Sequence, residues 1–351
     1  GLGRLFGKTL GYYFLSSFLA ILTGLVLVNL IRPGVGANLV DVSTAQLPEL
    51  RAPSSVGDIL LDIVPLNPLR AAADGDMLGI IFFCIFFGAA ASGLPETPRR
   101  ALLGFVDAAF DVMMRLTGMV LTLAPLGVFG LMTRVVGESG LGAFRSLGLY
   151  MLTIAIGLVI HMFLTLPLLL IALGRIRPHV HFRNVIEPLT MAFSTSSSAA
   201  TLPVTIRAVE NRVGVSNRIS SFVLPMGATV NMDGTALYEC AGALFIAQVL
   251  GADLSATQQM IVVLTALLAS IGAAAVPSAG LVIIFLVLEA VNLRGPDVEL
   301  IVGAMLAIDR PLDMFRTAVN VFSDSCGAAI IARSEGETNV DADGGGGGSP
   351  T

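Results

Sequence analysis

The chain has 351 residues, of which 55% are hydrophobic and only 13% charged, with a mean hydropathy of +0.85. Soluble domains carry about 25% charged residues, so this composition excludes an ordinary soluble protein and implies an all-α polytopic membrane protein. The net charge of −5 comes without a basic run, which excludes a nucleic-acid binder, and Cys84, Cys240 and Cys326 lie singly in apolar stretches, which excludes a disulfide framework.

Residues 2–8 are a short basic lead-in. Residues 9–31 predict a first span of about membrane length, stopped by Arg32-Pro33-Gly34. Residues 36–57 are polar and carry Pro48 and Pro53, as an external loop does. Residues 59–74 are broken by Pro65 and Pro68, 77–92 predict a short span rich in Phe, and 97–100 a basic turn. The Phe residues within 82–87 suit lipid contact or packing rather than a cofactor site. Residues 102–136 predict a long helix with Arg115 inside it and a kink at Pro125. Residues 143–173 predict another span, and 175–183 a basic, His-containing loop. His161, alone in an apolar stretch, reads as a packing residue.

The remainder departs from simple spans. Residues 185–213 have a Ser-rich centre, 194–198, followed by Thr201-Leu202-Pro203. Residues 255–293 have a small-residue centre, 270–280, that includes Pro277. Irregular backbone at membrane depth is tolerated only where it lines a cavity or is covered by protein. Paired interrupted segments of this kind mark transporter sites between inverted repeats. Both segments are expected to be helical hairpins that enter and return on one side. With the N-terminus taken as cytoplasmic, roughly eleven of the 20 basic residues fall inside and about six outside. That orientation puts the first hairpin on the cytoplasmic side and the second on the outer side.

Residues 298–333 predict a helix with a polar stripe. Asp309, Asp313, Arg316, Asn320 and Asp324 are spaced four, three, four and four residues apart, so they share an arc of roughly 80°. Charges in hydrocarbon cost several kcal/mol unless they face a partner, water or an ion. Arg316 can grip a carboxylate with two hydrogen bonds, and Asp313 can take an ammonium, so together they suit a zwitterion with an extra carboxylate. Asn320 and Asp324 supply oxygens for a hard cation such as Na⁺. In the span 219–250, Asn231-Met232-Asp233-Gly234-Thr235 sets a carboxylate beside a Gly that can unwind the helix and free carbonyls for a cation. Glu239, at similar depth, is placed to carry a proton. The tip Ser196-Ser197-Ser198 offers N–H groups and hydroxyls to an anion. The tip at 270–280 offers carbonyls to a cation and suits a lid. Tyr13, Ser16 and Ser17 share one side of the first span.

Three motifs, SSSAATLPVT (196–205), NMDGTALYE (231–239) and LDMFRTAVNVFSD (312–324), resemble the dicarboxylate/amino acid:cation symporter family, which includes the excitatory amino acid transporters and the archaeal aspartate transporters. The resemblance covers about residues 3–335. The rule on paired interrupted segments was itself drawn partly from archaeal members of this family, so it adds no independent support.

The resemblance implies a secondary active symporter, not an enzyme, that takes up L-glutamate or L-aspartate with Na⁺ and a proton as coupled ions. The fold it implies is an inverted-repeat transporter with two re-entrant helical hairpins, multi-pass in the cell (inner) membrane, assembled as a homotrimer, with a transport domain that moves like an elevator. Arg316 would bind the substrate side-chain carboxylate and Asp313 its amino group, with Thr317, Asn320, Thr235, Ser197 and Ser198 completing the site. One Na⁺ would use Asp324 with carbonyls of Gly227, Asn231 and Asn320. A second would use carbonyls of Thr229, Ser270, Ile271 and Ala273. A third would use Tyr13, Ser16, Ser17, Asn231 and Asp233. Glu239 would carry the proton.

On this resemblance, 1–33 is the first transport-domain span (the family's third helix) and 34–137 holds scaffold-type helices and an external loop. A transport-domain span follows at 143–175, hairpin 1 at 177–215 and the interrupted helix at 217–252. Hairpin 2 occupies 255–295, the substrate-binding helix 297–334 and a disordered tail 335–351. The chain reads as lacking the family's first two spans. Ala275 and Ser323 stand where Gly is usual, and Ser196 where archaeal members have Arg. The nearest alternative is a C4-dicarboxylate symporter; a channel is a more distant one. An intramembrane hydrolase is disfavoured because no His is expected near the polar helices.

Overall fold

The computed structural model describes residues 2–37, 39, 64–74, 77–123, 126–127, 129–130, 133, 137, 142–271 and 279–341. Most of the expected loop at 36–57, the kink at Pro125 and most of the tip 270–280, including Ala273 and Ala275, lie outside those residues. Among the described residues the regular structure is helical, without strands.

The first helix, α1, spans Leu2–Ile31. Three helices follow: α2 (Pro68–Asp74), α3 (Met77–Ser92) and α4 (Glu96–Leu121). Next comes α5 (Gly142–Ile160), which runs on through a π-helical turn at His161–Thr165, an α-helical turn at Leu166–Leu169 and a second π-helical turn at Leu170–Gly174. The segments α1 and α5 contain stretches, Gly3–Ile31 and Phe144–Gly174, that are long and apolar enough to cross a membrane.

A helix–turn–helix follows, α6 (Pro178–Thr195) and α7 (Ser198–Ala208), the latter ending in a π-helical turn at Val209–Val213. The reversal is made by Ser196 in the left-handed region (φ 51°) and by extended Ser197, whose Oγ caps α7 by accepting from Ala200 N at 3.2 Å. The interrupted span divides into α8 (Asn217–Val230) and α9 (Asp233–Val249). The chain then forms α10 (Ala256–Ile271), α11 (Ala279–Ala290) and the 39-residue α12 (Pro296–Ser334).

The core forms around α9. All of its residues except Gln248 are buried, and it packs against α1, α5, α10, α11 and α12. Gln248 joins the ends of α1 and α9, accepting from Gly34 N at 3.1 Å and donating to Val28 O at 3.1 Å. The helix α12 is buried almost without interruption from Asp313 to Ala332 despite its charges. Helices α3 and α4, by contrast, present Phe86, Phe105, Phe110 and Met119 outward.

The tail from Ser334 departs from the expected disorder as far as Asp341. Composition predicted disorder because the segment has little apolar surface to bury, but its acids meet fixed donors. Glu335 accepts from Arg4 and Lys8, both at 2.6 Å. These two bonds draw its carboxyl from the ordinary range down to about 2. Arg333 donates to the carbonyls of Thr338 (2.8 Å) and Val340 (3.1 Å). Asp341 accepts from Asn184 at 2.7 Å, pairs with His181 at 2.6 Å, and its amide donates to Val213 O at 2.7 Å. Residues 342–351 lie outside the described part.

Candidate functional site

The site starts from the break between α8 and α9. Asn231 (φ −104°, ψ 77°) and Met232 (φ −108°, ψ 64°) leave the helical region, so α9 starts afresh in the middle of the bundle. The new N-terminus carries partial positive charge, and Asp233 in its first turn is favourably placed. The amide of Gly234 donates to Asn320 Oδ1 at 2.8 Å, and Asn320 Nδ2 donates to Thr235 Oγ1 at 3.2 Å. One α12 side chain thereby holds the start of α9.

Asp233 is fully buried and gathers hydroxyl and imidazole groups. Its Oδ1 accepts from Ser17 Oγ at 2.7 Å and lies 3.2 Å from Ser16 Oγ. Its Oδ2 accepts from Ser323 Oγ at 2.6 Å and is 3.0 Å from His161 Nε2. Asn231 Nδ2 donates to Ser323 Oγ (2.9 Å) and to Asp324 Oδ1 (3.0 Å), while its Oδ1 is 3.1 Å from Ser16 Oγ. Tyr13 donates to Val223 O at 2.7 Å. A Cβ at Gly227 would lie 2.5 Å from Asp324 Oδ1 and 2.7 Å from Tyr13 Oη, so only glycine lets both groups reach the α8 backbone. Helices α1, α5, α8, α9 and α12 thus converge on two carboxylates, Asp233 and Asp324, with no Lys or Arg in this set of contacts.

The other end of the stripe carries a formal cation. Arg316 is 1% exposed, and its Nη2 donates to Asp313 Oδ1 at 2.8 Å and to Asp309 Oδ1 at 3.1 Å. Its guanidinium carbon stands 3.8 Å from the centroid of the Tyr238 ring, a cation–π contact. Its Nε and Nη1 have no hydrogen-bond partner among the described residues. Gly280 of α11 lies against that unpartnered side, since a Cβ there would be 3.1 Å from Nη1. Thr317 Oγ1 bonds back to Asp313 O at 2.8 Å. Glu239, next to Tyr238, is fully buried and neither carboxyl oxygen has a partner among the described residues.

The residues singled out in the sequence fall into groups. Tyr13, Ser16, Ser17, Gly227, Asn231, Asp233, Asn320 and Asp324 come together around the helix break, with Thr235 joined through Asn320. Arg316 and Asp313 meet each other. Ser197 and Ser198 form the α6–α7 reversal, and α7 packs on α12. Thr229 is exposed near the end of α8, with its hydroxyl bonded to Met226 O. Ser270 and Ile271 end α10, with Ser270 Oγ on Leu267 O at 3.0 Å. A small cavity lined by Tyr13, Ser17, Val230 and Ile271 sets the ends of α8 and α10 beside α1. Ala273 lies outside the described residues.

Two histidines correct the sequence reading. His161, expected only to pack, faces Asp233, and its Nδ1 has no partner among the described residues. His181 Nε2 is 3.0 Å from Ser325 Oγ on α12. Polar helices and histidines therefore do meet. Hydropathy hides His161 because its partner is 72 residues away. Its position at the start of a π-helical turn is the one local sign, since such turns cluster at functional sites. The roles of Ser323 and Tyr238 were likewise invisible before the helices were assembled.

Comparison with known proteins gives a consistent picture. A family model described as "Sodium:dicarboxylate symporter family" matches residues 1–334. Excitatory amino acid transporter 3 of Mus musculus is 35% identical over 381 residues, covering 94% of this chain and 72% of that protein. An excitatory amino acid transporter of Caenorhabditis elegans is 36% identical over 374 residues, covering 94% and 73%. Excitatory amino acid transporter 2 of Mus musculus is 43% identical over 258 residues, covering 73% and 44%. With polar helix breaks buried in an apolar bundle and a match over nearly its whole length, this chain belongs to the sodium:dicarboxylate symporter family and is an integral membrane transporter rather than an enzyme.

Proposed function

We propose that the protein takes up acidic amino acids, L-glutamate or L-aspartate, by symport with Na⁺. The observation that carries this reading is Arg316. It is buried, it holds two carboxylates with one nitrogen, and two further nitrogens lack partners among the described residues. A buried unpaired donor on a charged group costs more than about 1–3 kcal/mol, which favours an incoming carboxylate. Asp313, on the same helix face, takes the substrate amino group once it is released from Arg316. Thr317, Asn320, Thr235 and the Ser197–Ser198 tip complete the site. The names of the relatives support this substrate class.

The cations belong to the other cluster. Asp324 with Gly227, Asn231 and Asn320 forms one position, and Asp233 with Tyr13, Ser16, Ser17 and Asn231 forms another. Thr229, Ser270 and Ile271, at the ends of α8 and α10, are assigned to the third together with Ala273. The donor chemistry fits a hard alkali ion, which prefers carboxylate, amide and hydroxyl oxygens. Glu239 carries a proton. Burying the charged carboxylate in such a place costs far more than burying its neutral form. In this reading α6–α7 and α10–α11 are re-entrant hairpins of inverted repeats. The bundle 1–33 and 143–334 is the transport domain, which moves as an elevator against the scaffold-type helices of 34–137 within a homotrimer.

Uptake of labelled glutamate and aspartate into proteoliposomes tests the proposal. Accumulation should require Na⁺ and stop when choline replaces it. Strong competition by succinate or fumarate, with weak competition by aspartate, would instead support a C4-dicarboxylate symporter. Glu239→Gln should transport with its pH dependence removed, and a variant that kept the wild-type pH profile would remove the proton role.

A further inference from the structure

Ser323 sits one residue before Asp324 on α12 and is fully buried. Its Oγ has one proton and two lone pairs. The proton goes to Asp233 Oδ2 at 2.6 Å, and one lone pair accepts from Asn231 Nδ2 at 2.9 Å. No partner engages the second lone pair among the described residues. Ser16 has a single proton but three acceptors at similar range: Tyr13 O (3.2 Å), Asn231 Oδ1 (3.1 Å) and Asp233 Oδ1 (3.2 Å). At most one of these bonds is fully made at a time, so acceptor capacity remains on Asn231 and Asp233. Hydroxyl, amide and carboxylate oxygens of Ser16, Ser323, Asn231 and Asp233 are therefore linked in one buried cluster without saturating one another.

We propose that Ser323 is an oxygen ligand of the cation held between Asn231 and Asp233, and that its hydroxyl sets the affinity and alkali-ion selectivity of that position. The inference rests on the reading of the Asp233 cluster as a cation site. The hydroxyl keeps its proton on Asp233 and turns the spare lone pair to the ion, so no bond has to break when the ion arrives. Because Ser323 is bonded to both the Asn231 amide nitrogen and Asp233 Oδ2, it fixes the two residues relative to each other. A cage drawn in this way favours a small ion. The residue matters in this chain because glycine, lacking a side chain, would leave that corner of the cage without an oxygen.

The test uses the purified full chain in lipid nanodiscs, with no amino acid present. The midpoint of thermal unfolding is followed against Na⁺ and, separately, Li⁺, with choline holding ionic strength. Ser323→Ala removes the hydroxyl and keeps the Cβ. Ser323→Gly removes both, introduces no clash and supplies the same measurement if the first variant folds poorly. Loss of one oxygen should raise the Na⁺ concentration for half-maximal stabilisation by about tenfold. Li⁺, which needs the tighter cage, should lose more, so the Li⁺-to-Na⁺ half-saturation ratio should rise by at least about twofold. A purely structural serine would lower the midpoint at every salt concentration without moving that ratio. Half-saturation within about twofold of wild type in both variants, alongside loss of Na⁺ stabilisation in Asp233→Asn, overturns the role of Ser323 and leaves the cation reading standing. Unchanged Na⁺ stabilisation in Asp233→Asn overturns the cation reading of this cluster and the inference with it.

Discussion

At one end of the α12 stripe, Asp309 and Asp313 share the guanidinium of Arg316; about 12 Å further along the helix, Asp324 and Asp233 lie among amide, hydroxyl and imidazole groups. Both ends bury carboxylates in a protein interior, where an isolated charge is prohibitively costly. The Arg316 end spends one formal charge on two acids and keeps N–H groups that have no partner among the described residues. It is short of an acceptor. The Asp233 end has two acids and only amide, hydroxyl and imidazole contacts. It is short of positive charge. One helix therefore offers complementary needs to an anion and to a cation, and filling either end makes the other easier to fill. On the proposed function, that electrostatic complementarity is the physical origin of symport.

The largest test removes the formal charge. Arg316→Ala leaves Asp309 and Asp313 buried together without a cation, and breaking a buried pair in this way costs about 3–5 kcal/mol. Acidic amino acid uptake should fall by at least about a hundredfold, and the unfolding midpoint should drop. Arg316→Lys restores the charge but not the planar fork or the fit over Tyr238, so uptake should stay well below wild type while stability recovers in part. Uptake kinetics and thermal melting of the two variants separate charge from geometry.

At the other end, Asp233→Asn replaces the carboxylate that gathers Ser16, Ser17, Ser323 and His161. The Na⁺ half-saturation of uptake should rise by about tenfold or more, with a smaller stability loss than in Arg316→Ala because no buried charge is orphaned. An equal stability loss in both variants would erase the distinction between the ends.

A finer test concerns His161. Its Nε2 lies 3.0 Å from Asp233 Oδ2, and its Nδ1 has no partner among the described residues. His161→Leu should cost about 1–3 kcal/mol in unfolding free energy because a buried acceptor loses a donor. His161→Gln, which can still donate, should cost less. Equal losses would make the ring's packing, not its hydrogen bond, the operative feature.

The smallest effect is outside the bundle. Arg4 and Lys8 hold the Glu335 carboxyl down at about 2. The folded-state value is below the unfolded one, so this clamp stabilises above the ordinary carboxylate range and is lost as pH falls toward 2. Glu335→Gln should melt slightly below wild type at neutral pH and converge with it in acid. A gap that widened on acidification would reverse the sign of this contribution.

Much of this was written in the chain. Composition and hydropathy pointed to a helical membrane protein, since several apolar runs approach spanning length in a chain with few charges. The three motifs determined the family, and the 4-3-4-4 spacing on 309–324 placed the stripe on one face, because helical periodicity is local. Helical propensity did not reveal which carboxylate would meet which donor. His161 looked like packing until α5 was laid against the start of α9. Ser323 looked like a single departure from a pattern until its hydroxyl was found between Asn231 and Asp233. The tail looked disordered until Asp341 reached His181 and Asn184. In each instance the partner lies 72 or more residues away in sequence. Periodicity reports on neighbours within a few turns, whereas the pairing of buried polar groups is decided only when the helices pack and every donor must find an acceptor.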